Sequence, residues 1–83
     1  MSSKNTFRLV IASVGDTKFD GDVTSLTVPG EAGVMTLLPH HEAIVSTLKD
    51  GAISVKTSEG LEKKWQIENG VLECSGGKAV ILL

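Results

Sequence analysis

Apolar and polar residues alternate with a period of two over most of this chain, as strands with one buried face require. Phe7, Leu9 and Ile11 fall on one face of a strand predicted from Phe7 to Ile11. After Gly51, Ile53 and Val55 alternate with Ser54 and Lys56, and Trp65 and Ile67 with Gln66 and Glu68. Ser58-Glu59-Gly60 predicts the hairpin turn between those two runs. Val71–Cys74 and Ala79–Leu83 predict two further strands, joined through Ser75-Gly76-Gly77-Lys78.

The first half of the chain alternates less strictly. Gly15-Asp16 and Asp20-Gly21-Asp22 predict turns that bracket a very short strand at Lys18 and Phe19. Val23, Leu26 and Val28 break the alternation, which predicts a bulge near Thr24 and Ser25. Pro29-Gly30 predicts a turn. Val34–Leu38 is mostly apolar and predicts a fully buried strand, ended by Pro39. Ile44 and Leu48 stand four apart, as on a helix, yet Ile44, Val45 and Thr47 are β-branched. Periodicity leaves helix and strand equal there. Asn69-Gly70 fits a tight turn or a bulge.

Composition supports strands. Val, Ile and Thr account for 21 of the 83 residues, and nine glycines and two prolines interrupt them at short intervals. The length suits one small domain, with stability of about 4–12 kcal/mol at roughly 0.05–0.15 kcal/mol per residue. We read residues 1–83 as that domain. There is no room for a large internal cavity, so function is expected on the surface. The net charge is −2, and Phe7, Phe19 and Trp65 are scattered, so no basic, aromatic-lined path for nucleic acid exists. The same balance speaks against direct docking on an anionic membrane. No apolar run reaches the 18 residues of a membrane span, and the start, Met1–Thr6, lacks the apolar core of a secretory signal. The lone Cys74 cannot form an internal disulfide.

Candidate chemistry is sparse. His40, His41 and Glu42 suggest a metal, but adjacent side chains on a strand point to opposite faces, and no further Cys or His pair completes a zinc set. They read better as surface or interface residues. Gly76-Gly77-Lys78 has Leu72 and Ala79 where a phosphate loop needs Gly and Ser or Thr, so it reads as a hairpin. Cys74 lacks an orienting partner for nucleophilic chemistry with His40 or His41. Asp20 with Asp22, and Glu59 with Glu62, read as solvated charge in turns. No catalytic, cofactor-binding or metal-binding residues are assigned.

The central stretch is more informative. It runs Val28-Pro29-Gly30-Glu31-Ala32-Gly33-Val34-Met35-Thr36-Leu37-Leu38-Pro39-His40-His41-Glu42-Ala43, followed by Lys49-Asp50-Gly51-Ala52-Ile53-Ser54-Val55 and later by Ile67-Glu68-Asn69-Gly70-Val71-Leu72-Glu73-Cys74. With Phe19-Asp20-Gly21-Asp22-Val23 upstream, the order and spacing of these segments resemble the epsilon subunit of F-type ATP synthases over nearly the whole chain. Two departures stand out. Val34 replaces an acidic position, and His41 is kept while its usual Gly and Pro neighbours are not.

The resemblance implies an all-β fold, a flattened β-sandwich of about ten short strands, and strand for Ile44–Leu48. It implies a non-catalytic rotor subunit without a cofactor, docked on the gamma subunit of the central stalk and on the polar loops of the c-ring. It implies a peripheral position on the cytoplasmic face of the bacterial plasma membrane. Val34, Met35 and His41 would lie near the ring or stalk foot, and Ser13 and Ser46 near the gamma-facing side. The chain stops where that family's helical hairpin usually begins. From this we expect a short form without a C-terminal helical domain, and without the ATP binding or inhibition attached to the hairpin. Against this stand a generic β-sandwich module for another protein or a carbohydrate and, last, a small metal-dependent enzyme.

Overall fold

A computed structural model describes residues 5–83, so the Met1–Lys4 part of the amino-terminal stretch lies outside it. Among the described residues the elements are eight strands: β1 (Phe7–Ser13), β2 (Asp16–Gly30), β3 (Gly33–Leu37), β4 (Ile44–Leu48), β5 (Gly51–Thr57), β6 (Glu62–Ile67), β7 (Gly70–Ser75) and β8 (Lys78–Leu82). All pairings are antiparallel except β1 with β8, which is parallel.

The long strand β2 organises the fold. Its first half pairs with β1, and its second half lies between β3 and β5. Two layers result. One is β4-β7-β8-β1 with the start of β2, and the other is β3-β2-β5-β6. Leu9, Ile11, Leu72 and Ile81 from the first layer meet Leu26, Val28, Ile53 and Val55 from the second in one buried core. A register shift at Thr24 lets β2 pass between layers, where the broken alternation predicts a bulge.

The sandwich has eight strands rather than about ten because β2 is continuous. Asp20-Gly21-Asp22, expected as a turn, lies mid-strand. There Gly21 pairs with Leu9, and the Asp20 carboxylate accepts a 2.6 Å hydrogen bond from Arg8 Nε. Tertiary pairing and one ion pair hold extended a segment whose residues favour a turn locally. Pro29 and Gly30 likewise end β2, and the turn falls at Glu31-Ala32. A Cβ at Gly30 would stand 2.8 Å from the Gly33 carbonyl oxygen, so glycine allows this tight hairpin. Gly51, at φ 151°, serves similarly: a Cβ there would stand 2.9 Å from the Pro29 ring. Asn69-Gly70 is not a tight turn. Gly70 opens β7 and pairs with Leu48. Ile44–Leu48 is a strand, because its residues pair in register with Gly70–Cys74.

Candidate interface

Residues 34–38 are the first correction. Expected as a fully buried strand, they form most of the edge strand β3, which pairs with β2 alone among the described residues. Val34 is 74% exposed and Leu38 56% exposed, while Leu37 is buried and Met35 half-buried. A run of apolar residues reads as buried on both faces, yet an edge strand buries only one. The opposite edge of this layer is β6, which carries Glu62, Lys63 and Lys64. Strand β3 carries no charge.

Behind β3 lies an apolar groove of about 490 Å³, between Met35 and Leu37 on one wall and His41, Ala43 and Ile44 on the other. The His41 ring stands edge-on to Phe7, with centroids 5.0 Å apart and planes at 89°. Its Nδ1 lies 3.2 Å from the Glu42 carbonyl oxygen. Its Nε2 is shielded from solvent and has no hydrogen-bond partner among the described residues. His40, its neighbour, is exposed and held at φ 69°.

The five residues singled out as interface candidates are only partly brought together. Met35 and His41 share the groove. Ser46 joins them through Gly30, where a Cβ would stand 3.1 Å from Met35 Cε and 3.6 Å from Ser46 Oγ. Val34 lies on the same strand as Met35 but points outward. Ser13 stands apart: it pairs with Asp16 at the start of β2, while β3 pairs with the end of β2.

A second surface escaped the sequence reading. The outer side of the β4-β7-β8-β1 layer is largely apolar. Two rows cross it in register, Val45–Glu73–Val80–Val10 and Thr47–Val71–Leu82–Ala12. Val45 is 71% exposed and Leu82 56%. The signal was present in the sequence, because Leu9–Ala12 and Ala79–Leu83 are unbroken apolar runs. Such runs mark strands covered on both faces. The outer side of the other layer is polar, with Thr36–Thr27–Ser54–Lys64 and Ser25–Lys56–Glu62 across it.

Among the described residues no group of three or more His, Cys, Asp and Glu is placed to hold a metal ion. Cys74 is buried, and burial pushes its thiol up to about 11, so almost no thiolate forms at neutral pH. The geometry offers three candidate docking surfaces: an uncharged strand edge, the groove behind it, and a largely apolar sheet face.

Residues 6–83 match the family described as ATP synthase, Delta/Epsilon chain, beta-sandwich domain. The chain belongs to that family. It is 36% identical over 81 residues to the ATP synthase epsilon chain of Chlorobium limicola, covering 98% of this chain and 92% of the relative. It is 29% identical over 77 residues to the epsilon chain of Bordetella petrii, of which it covers 55%. In solved structures the sandwich recurs in the mitochondrial ATP synthase of Euglena gracilis, with a TM-score of 0.88 at 20% identity. It recurs also in that of Tetrahymena thermophila, with a TM-score of 0.77 at 11% identity. This chain is covered to 99% and 98% in those matches and spans 52% and 65% of the solved chains. These likenesses establish the sandwich fold of an epsilon-family chain.

Proposed function

We propose that this epsilon-family chain is a non-catalytic rotor subunit of an F-type ATP synthase. Residues 1–83 act as one docking domain that joins the gamma subunit of the central stalk to the polar loops of the c-ring. Torque from ion-driven ring rotation, by protons or sodium, passes through this joint to the catalytic head. The complex holds the chain at the cytoplasmic face of a bacterial plasma membrane. The observation that carries the reading is the apolar outer face of β4-β7-β8-β1. A folded domain rarely leaves Val45, Val71 and Leu82 together in solvent unless a partner covers them.

The size of the face fits a subunit in a larger assembly. Four strands about 4.8 Å apart and five residues long at about 3.3 Å each span roughly 300 Å². A standard interface buries about 800 Å² on each partner. The partner therefore also engages surface beyond this face, and the groove adjoins it through β4. Val34 on β3 faces the ring, where its apolar side chain meets ring loops through contact rather than charge. Ser13, at the far end of β2, contributes to the gamma side apart from Met35, His41 and Ser46.

Coexpression with the gamma subunit of the same organism tests the reading. A one-to-one complex surviving gel filtration at micromolar concentration is the expected result. Absence of any complex leaves a generic binding module as the better account.

A further inference from the structure

Strand β3 leaves one edge open, and Pro29 fixes which of its backbone groups face that edge. In an antiparallel ladder, opposed residues alternate between pairs that exchange both hydrogen bonds and pairs that exchange none. Pro29 has no N–H and stands opposite Val34, while Gly30 and Gly33 close the two-residue turn. The bonded pairs are therefore Gly30–Gly33, Val28–Met35 and Leu26–Leu37. Val34 and Thr36 turn their N–H and C=O groups away from β2, toward the side where β3 has no other strand among the described residues. Edge strands usually carry charge, proline or a bulge that blocks further pairing. The opposite edge of this layer, β6, carries Glu62, Lys63 and Lys64. Gly33–Leu37 carries neither charge nor proline, and its register with β2 is unbroken.

Two copies of β3 fit each other in one antiparallel register. A two-fold axis at Met35 sets Val34 of each copy opposite Thr36 of the other. These are the residues with free N–H and C=O groups, so each such pair exchanges both of its hydrogen bonds. The same register sets Leu38 opposite Ala32 and diagonal to Val34 of the second copy. Val34 and Leu38, both exposed in the single chain, then cover one another. No residue from Ala32 to Pro39 is charged. The nearest carboxylate, Glu31, lies four positions from the axis, so the two copies of it stand roughly 26 Å apart at about 3.3 Å per residue. That exceeds the about 10 Å over which exposed charges act in 0.1 M salt. Pairing β3 with the charged β6 edge would instead join copies head to tail without closing.

We propose that the unassembled chain pairs with a second copy of itself, edge to edge through β3. The two β3-β2-β5-β6 layers then form one sheet across a two-fold axis. This pairing is independent of the rotor reading; in an assembled rotor Val34 is assigned to the ring, so the pair is a state of the free chain. Five residues at about 3.3 Å each, across about 10 Å of sheet depth, cover roughly 160 Å² on each copy. A standard interface covers about 800 Å² on each partner. The pair is accordingly weak, with a dissociation constant of about 0.1–1 mM. It closes an edge that would otherwise accept strands without limit.

Dilution of the full chain from about 2 mM to about 20 μM, followed by sedimentation and in nitrogen-15 amide spectra, tests this. The expected result is a monomer–dimer equilibrium whose largest amide shifts fall at Val34 and Thr36. Val34→Lys sets two ammonium groups diagonally across the axis, and Thr36→Pro deletes an N–H that β2 does not use. Each should raise the dissociation constant about tenfold or more, and Val34→Lys should leave the melting temperature nearly unchanged. Leu82→Glu, on the apolar face, should keep the constant within about twofold of wild type. If neither edge variant folds, the wild-type shifts decide. A wild-type chain that stays monomeric throughout the series overturns the proposal, as do largest shifts outside β3. A dimer that Leu82→Glu disrupts as strongly as Val34→Lys overturns it too, by placing the second copy on the apolar face. Open-ended oligomers also overturn it, because a two-fold pair closes.

Discussion

The two outer faces of the sandwich use the same strand geometry and carry opposite chemistry. The β3-β2-β5-β6 face presents Ser25, Thr27, Ser54, Lys56 and Lys64, with the Thr27 and Thr36 hydroxyls 3.0 Å apart. Its inner side is Leu26, Val28, Ile53 and Val55. That is the pattern of a sheet with one face in water. The β4-β7-β8-β1 layer is apolar inside and largely apolar outside, where Glu73 is the charge in the two central rows and Arg8 and Lys78 stand at one end. Both layers bury similar inner residues, so folding alone does not call for Val45, Val80 or Leu82. The difference points to a surface kept for another molecule.

The largest effect expected on this comparison comes from neighbours on one strand. Leu72 faces the core and Val71 faces outward, 40% exposed. Leu72→Ala should cost about 2–5 kcal/mol in urea denaturation, and Val71→Ala less than about 0.5 kcal/mol. Equal costs would mean that the outer face is core after all. Two residues along, Cys74 checks the inner side chemically. With its thiol at about 11 against an ordinary value of 9.0, the folded chain carries about a hundredfold less thiolate at pH 8. Its alkylation by iodoacetamide should therefore be slow until the chain unfolds.

Smaller effects separate the faces themselves. Leu82→Glu should weaken binding to gamma about tenfold while leaving the melting temperature nearly unchanged. Ser54→Glu on the other face should change neither. Matching losses from both would erase the distinction between the faces. The smallest effect concerns Arg8 and Asp20 at the charged end of the apolar face. The Arg8 hydrogen bond holds the Asp20 carboxyl below its ordinary value of 3.8. A carboxyl lowered on folding adds stability above its unfolded value, and that stability disappears as pH falls through the folded value. Arg8→Ala should thus lower the melting temperature slightly at pH 7. The gap from wild type should shrink below pH 4 and in 1 M salt, since the pair is exposed.

Much of the fold was legible. The core positions Phe7, Leu9, Ile11, Ile53, Val55 and Ile67 lie where alternation predicts, and so does the bulge near Thr24. Residues 34–38 were misread because β3 is an edge strand, and two other misreadings share a second cause. At Asp20-Gly21-Asp22 and Pro29-Gly30, turn-favouring residues sit inside or at the end of a strand, because pairing with β1 and β3 outweighs local preference. The candidate interface was less legible. Met35 and His41 share the groove and Ser46 lies near Met35, but the wider apolar face was missed because each of its residues reads singly as core.

The strand-rich class, the inner-face residues and the resemblance to epsilon subunits are all readable along the chain. Side chains alternate every residue along a strand, so a half-buried strand displays its burial in one dimension. Tertiary structure alone decided which apolar runs remain exposed. Whether Val34 or Leu82 is covered depends on which strands lie beside and across from it. Those neighbours are set by pairings far apart in sequence, such as Ala12 with Leu82. It also decided that His41 Nε2 has no partner among the described residues, because a hydrogen-bond partner is a matter of position in space.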